Sequence, residues 1–185
     1  VSIPIQGENV QPITVAIVEI NQNQPISVEN FLQHNDTKVE LLADIPSNYD
    51  HVRERRQTLR NNEAAIDNAV ARIKRLRPQI LLINANQAID EYCDLLFVLR
   101  YECPDTQAIL IINEAVEENY LLETLACGAR GFITDNLDSL NFSKVIDAIN
   151  RGEAWVSRKL VGKIMHQIVS ASRNDFIEAG FDSSC

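Results

Sequence analysis

The side chains of this sequence that could do chemistry follow its apolar runs. Ile13–Glu19 leads into Glu19-Ile20-Asn21. Gln79–Asn84 leads into Asn84-Ala85-Asn86, Gln107–Asn113 into Asn113-Glu114, and Gly131–Thr134 into Thr134-Asp135. Three uses of such a set are open. Glu19, Glu114 and Asp135 offer carboxylate oxygens that a divalent cation would take. Glu19, Asn21, Asn84, Asn86, Asn113 and Asp135 together offer a polar pocket for a small molecule. The plainest use is structural, with amides at loop entries capping helices and satisfying backbone groups.

Other chemistry is poorly provided for. His34, His51 and His166 are scattered, and no Ser-His-Asp or Cys-His order stands out. No glycine-rich phosphate or dinucleotide loop occurs. Cys93, Cys103, Cys127 and Cys185 form no C-x-x-C pair and have no histidine at zinc spacing. They read as reduced thiols of a cytoplasmic protein. The expectation is a protein that is not an enzyme and holds neither metal nor cofactor.

The chain has 185 residues with 17 basic and 26 acidic side chains, a net charge of −9. That length suits one domain of ordinary size. The acidic balance argues against nucleic-acid binding by this segment itself, which would need Lys and Arg against phosphates. The longest apolar runs, Ile80 to Ile83 and Ala108 to Ile112, are far too short to span a membrane, and the N-terminal dozen residues do not resemble a signal peptide.

Residues 1–12 read as an extension broken by Pro4, Gly7 and Pro12. Strands are expected at Ile13–Glu19, Lys38–Ala43, Gln79–Asn84, Gln107–Asn113 and Gly131–Thr134. Helices are expected at Pro25–His34, Asp50–Arg77, Ile89–Tyr101, Val116–Cys127, Ser139–Asn150 and Trp155–Ser170. Val52, Leu59, Ile66 and Ile73 recur every seven residues along the second of these, joined by Val70 and Leu76. Gly128 reads as a helix stop. Five strands alternating with helices imply a parallel sheet covered on both faces. The flavodoxin-like order 2-1-3-4-5 is the natural α/β arrangement, and it places ligands at the carboxyl ends of the strands.

Those ends carry a resemblance. Ala126 to Ser157, ACGARGFITDNLDSLNFSKVIDAINRGEAWVS, resembles the end of the receiver domain in NarL/FixJ-type response regulators. That end typically reads G-A-x-G-Y/F-L-L-K, an acidic-polar loop, a helix with x-A-I, then G-E-x-W. RPQILLIN, Arg77 to Asn84, resembles the family's R-P-D-V-V-L-L-D. The resemblance covers about residues 13–157 and implies a CheY-like fold. It also implies phosphoryl transfer to an Asp after the third strand, with Mg²⁺ held by that Asp and an acidic pair after the first. A Thr or Ser after the fourth strand and a Lys after the fifth contact the phosphoryl group. Carried over, the phosphoacceptor falls on Asn84, the acidic pair on Glu19 and Ile20, the hydroxyl on Asn113 and the lysine on Asp135, with Thr134 beside it. The family pattern is degenerate at all of these positions.

The expectation is therefore a pseudo-receiver over residues 13–157, acting as a phosphorylation-independent homodimerisation and protein-interaction module of a bacterial transcription regulator. The alternative is a small-molecule sensor using the polar pocket. Phe132 falls on the family's aromatic switch position and reads here as a fixed core or interface side chain. The face beside it, with Leu122 and Ala126 and also Asn119 and Glu123, is a candidate interface. Residues 44–77 exceed the family pattern as an extended helical insertion, either solvated or a partner arm. Residues 158–185 resemble a linker helix and tail. DNA would be reached only through a helix-turn-helix domain, which no part of this chain resembles.

Overall fold

A computed structural model describes residues 11–19, 38–46, 58–85, 89–113, 116–134 and 136–179. Within them the chain order is β1 Ile13–Glu19, β2 Val39–Pro46, α1 Thr58–Leu76, β3 Ile80–Asn84, α2 Ile89–Glu102, β4 Gln107–Ile112, α3 Glu118–Cys127, β5 Ala129–Thr134, α4 Ser139–Asn150 and α5 Arg158–Ala179. The strands form one sheet in the order β2-β1-β3-β4-β5, and every pairing is parallel. The expected topology is the observed one.

The period-two alternation of a strand divides the core between the two faces. Leu81, Ile83, Leu110 and Ile112 join Val70 and Ile73 of α1 and Tyr92, Leu95 and Leu96 of α2 on one side. Ile80, Leu82, Ile109 and Ile111 join Phe142, Val145, Ile146 and Ile149 of α4 on the other. All five residues of β3 are buried, as expected for a central parallel strand covered on both faces. Helix ends follow local chemistry. Pro78 bars the right-handed helical region to the residue before it, and Arg77 closes α1 at φ 49°. Gly128, at φ 123°, ends α3 by donating its N–H to Thr124 and Leu125 carbonyls. Asp138 caps α4 by accepting from the Asn141 N–H at 2.8 Å.

Several expectations are corrected. The seven-residue column of the long helix is not available to a helical neighbour where it is described: Ile73 and Val70 are buried and Ile66 packs against them. The spacing reflects one face of α1 lying on the sheet. Val52, with the segment before Thr58, lies outside the described residues, as does the expected helix Pro25–His34. Trp155 is not helical. It makes a parallel bridge with Gly131 on the free edge of β5, and α5 begins only at Arg158. Nor does the last helix stop at Ser170; it continues to Ala179.

The bridge at Trp155 depends on Gly131. The Trp155 N–H donates to the Arg130 carbonyl at 2.9 Å, and the Phe132 N–H donates to the Trp155 carbonyl at 3.0 Å. A Cβ on Gly131 would lie 2.6 Å from that carbonyl oxygen, so only glycine admits the segment. From there Ser157 caps α5, its Oγ accepting from the Leu160 N–H at 3.2 Å. Lys159 and Lys163, one helical turn apart, both pair with Glu118 of α3.

That pairing has a pH signature. Hydrogen bonds from Lys159 and Lys163 hold the Glu118 carboxyl below the usual carboxylate range. A value lowered on folding means that the tie is present above the unfolded value, about 4.3 for Glu, and is lost as pH falls through the folded one. Glu118→Gln is expected to remove this dependence and to speed hydrogen exchange in the first turns of α5 at neutral pH. Unchanged exchange would show that α5 is held by other contacts.

Candidate functional site

A parallel sheet brings the carboxyl ends of its strands to one edge, and four of the predicted positions follow from that. Val18 pairs with Ile83, so Glu19 and Asn84 come next in the same register. Asn84 pairs with Ile111, which places Asn113 just beyond it on β4. Thr134 pairs with Ile112 and completes the row on β5.

Asn84 is the last residue of β3 and is only 7% exposed. The strand does not release the chain there, because the Ala85 N–H still donates to the Ile111 carbonyl at 2.9 Å. Asn113, the first residue after β4, is exposed. The Thr134 hydroxyl donates to Asn136 Oδ1 at 2.5 Å, so it is engaged within its own loop. Ile20, Asn21, Asn86, Glu114 and Asp135 lie outside the described residues, and of Glu19 only the backbone is described.

Of the side chains described in this row, Asn84 and Asn113 are amides and Thr134 is a hydroxyl, while Glu19 adds a carboxylate whose side chain lies outside the described residues. A carboxamide is no nucleophile at neutral pH. It offers Mg²⁺ a neutral oxygen in place of the one or two charged ones that the ion usually takes from protein. By themselves, the described side chains Asn84, Asn113 and Thr134 do not fit a resident Mg²⁺. Among the described residues no group of three His, Cys, Asp or Glu is placed to hold a metal, and no helix is long and apolar enough to cross a membrane.

The α3 helix separates its two sides clearly. Tyr120 and Thr124 are buried, whereas Asn119, Glu123 and Ala126 are exposed and Leu122 is half-buried. Phe132 is half-buried against the core of the α1–α3 side. The residues singled out from sequence on this helix are therefore on its outer face. One residue that sequence reading missed is Tyr120, whose hydroxyl is buried and has no hydrogen-bond partner among the described residues. Burial, with Tyr92 and Cys93 nearby, pushes it up to about 12. Nothing local distinguishes it from any core aromatic in a helix.

Two cavities among the described residues lie elsewhere. One of about 340 Å³ is lined by Arg100, Gln107 and Arg130 among others. Another, of about 320 Å³, is lined by Lys74, Gln79 and Thr106 among others. Both open at the amino ends of β3, β4 and β5, opposite the row of Asn84, Asn113 and Thr134.

Comparison with solved structures decides the architecture. The isolated REC domain of RcsB from Salmonella enterica serovar Typhimurium matches 81% of this chain and 96% of its own, at TM-score 0.54 and 14% identity. A LuxR-family two-component response regulator from Aurantimonas matches 85% and 99%, at TM-score 0.56 and 15% identity. The chain has the fold of a response-regulator receiver domain. The receiver domain of the putative response regulator NarL from Mycobacterium tuberculosis agrees, at TM-score 0.55 and 16% identity over 77% of this chain. In sequence, this chain is 30% identical to the oxygen regulatory protein NreC of Staphylococcus epidermidis over 79 residues, 43% of this chain and 36% of NreC. NreC of Staphylococcus aureus is 33% identical over 72 residues, 33% of its length. The chain thus spans about a third of the length of these curated relatives. No family model matches the chain.

Proposed function

We propose that this chain is a pseudo-receiver. It keeps the receiver fold, takes no phosphoryl group, and serves a cytoplasmic transcription regulator as a phosphorylation-independent dimerisation and protein-interaction module. One observation carries the reading: the residue that ends β3, at the buried position where an acceptor carboxylate would stand, is Asn84. The replacements around it point the same way. Ile20 stands in for half of an acidic pair, Asn113 for a hydroxyl, and Asp135 for a lysine. A carboxylate at residue 135 would repel the charge that a cation is needed to stabilise.

The relatives named oxygen regulatory protein support a regulatory setting. A solved RcsB structure described in terms of DNA interaction, matched over 68% of its length, supports a separate DNA-binding half as the output. In this reading the receiver sets the spacing of attached helix-turn-helix domains by pairing with a second copy.

The test is intact-mass spectrometry after incubation with acetyl phosphate and Mg²⁺. The mass is expected to stay that of the unmodified chain. A gain of about 80 Da, the mark of one phosphoryl group, that Asn84→Ala abolishes would overturn the proposal.

A further inference from the structure

We infer that the outer face of α5 pairs with α5 of a second copy of this chain, the two helices running antiparallel. The inference rests on the self-association proposed above and gives it a surface.

The α5 helix has 22 residues, about 33 Å at 1.5 Å per residue. Among the described residues, the contacts that hold it to its own domain are at its beginning. Leu160 is 2% exposed, Ile164 is half-buried, and Glu118 takes both Lys159 and Lys163. Val161, Met165, Ile168 and Val169 then fall at i, i+4, i+7 and i+8, the spacing of one apolar stripe. All four are exposed, Met165 at 59% and Ile168 at 57%. Large side chains aligned over several turns are not the scattered surface apolars of a monomer.

Charge chooses the occupant and its direction. The helix begins with Arg158, Lys159 and Lys163 and carries Asp175 and Glu178 near its end, with Arg173 beside them. A parallel second copy would set the basic ends level with each other. An antiparallel copy, centred between Ile164 and Ile168, lays the stripe against itself and brings Arg158 level with Asp175. Lys159 and Lys163 are already committed to Glu118 within their own domain. Arg158 has no ion pair among the described residues, which leaves its charge for the second copy. Opposite charges across an interface fix direction and register more than they add affinity.

The experiment is sedimentation of the full chain across a concentration series extending to high micromolar. The unaltered chain is expected to reach twice its monomer mass. Met165→Glu with Ile168→Glu is expected to weaken association by roughly a hundredfold, since buried anchors dominate interface energies. Circular dichroism and melting temperature should hold, because both side chains face solvent in the single chain. Arg158→Glu alone should weaken pairing, and Arg158→Glu with Asp175→Arg should restore it. A dimer indifferent to the Met165 and Ile168 changes would overturn this surface and leave the self-association proposal standing. A dimer that the charge exchange fails to rescue would overturn the antiparallel register. A chain monomeric throughout would overturn both.

Discussion

Leu82→Ala is expected to lower the free energy of unfolding by about 2–5 kcal/mol, the range for truncating a buried leucine. Leu82 sits in the middle of β3 with none of its surface exposed. It lies in the layer built from Ile80, Ile109, Ile111 and the inner face of α4. Strands pair on both sides of it, so the backbone has little freedom to close the void. Denaturant unfolding followed by circular dichroism measures the change. Met165→Ala is the control, expected to stay within about 0.5 kcal/mol as a surface change under dilute conditions where the chain is monomeric. Equal effects at the two positions would contradict the placement of β3 at the centre of the sheet.

Gly131→Val is the second large effect, and its mechanism is crowding rather than a void. A Cβ there meets the Trp155 carbonyl oxygen at 2.6 Å and the Trp155 Cβ at 2.8 Å. Both obstacles lie at or next to backbone and cannot swing aside like the end of a flexible side chain. The segment through Trp155 must leave the edge of β5, giving up the hydrogen bonds at 2.9 and 3.0 Å that hold it there. The expected cost is about 1–3 kcal/mol, as for overpacking elsewhere. The chain has a single tryptophan, so its fluorescence reports the event directly. Emission should shift to the red in the folded variant, and hydrogen exchange at Phe132 and Trp155 should accelerate. An unshifted spectrum would mean that the bridge is not what places Trp155.

The central strands were legible in the sequence because their physics is local. ILLI and AILII are continuous apolar runs, as strands buried on both faces must be, and their alternation with helices leaves few topologies. The α4 helix was readable to its ends, Ser139 and Asn150, because Asp138 caps it and Gly152 follows. What failed depended on contacts far apart in the chain. The β2 strand extends to Pro46 because β1 continues beside it, which KVELLA alone does not reveal. Trp155 looked helical because its place is set by an edge twenty-four residues earlier. The column through Ile66 and Ile73 looked like an open seam because periodicity reports a face and not what covers it. Conversely, the exposure of Val161, Met165, Ile168 and Val169 depends on what packs over α5, which no local pattern reports.

The candidate site divides in the same way. Asn84, Asn113 and Thr134 come to one edge because they end or directly follow strands, and a parallel sheet gathers those ends. The union of Glu118 with Lys159 and Lys163 could not be found from spacing. The lysines show the separation of one helical turn, but their partner stands on another helix forty-one residues earlier than the first of them. The buried hydroxyl of Tyr120 likewise becomes visible only once α3 is laid on the sheet.

The central claim is that association of this chain does not depend on a phosphoryl group. It is tested most directly by sedimentation equilibrium of the full chain with and without acetyl phosphate and Mg²⁺. The prediction is one monomer–dimer midpoint, the same in both conditions. A midpoint that moves to lower concentration only when the phosphoryl donor is present would contradict it.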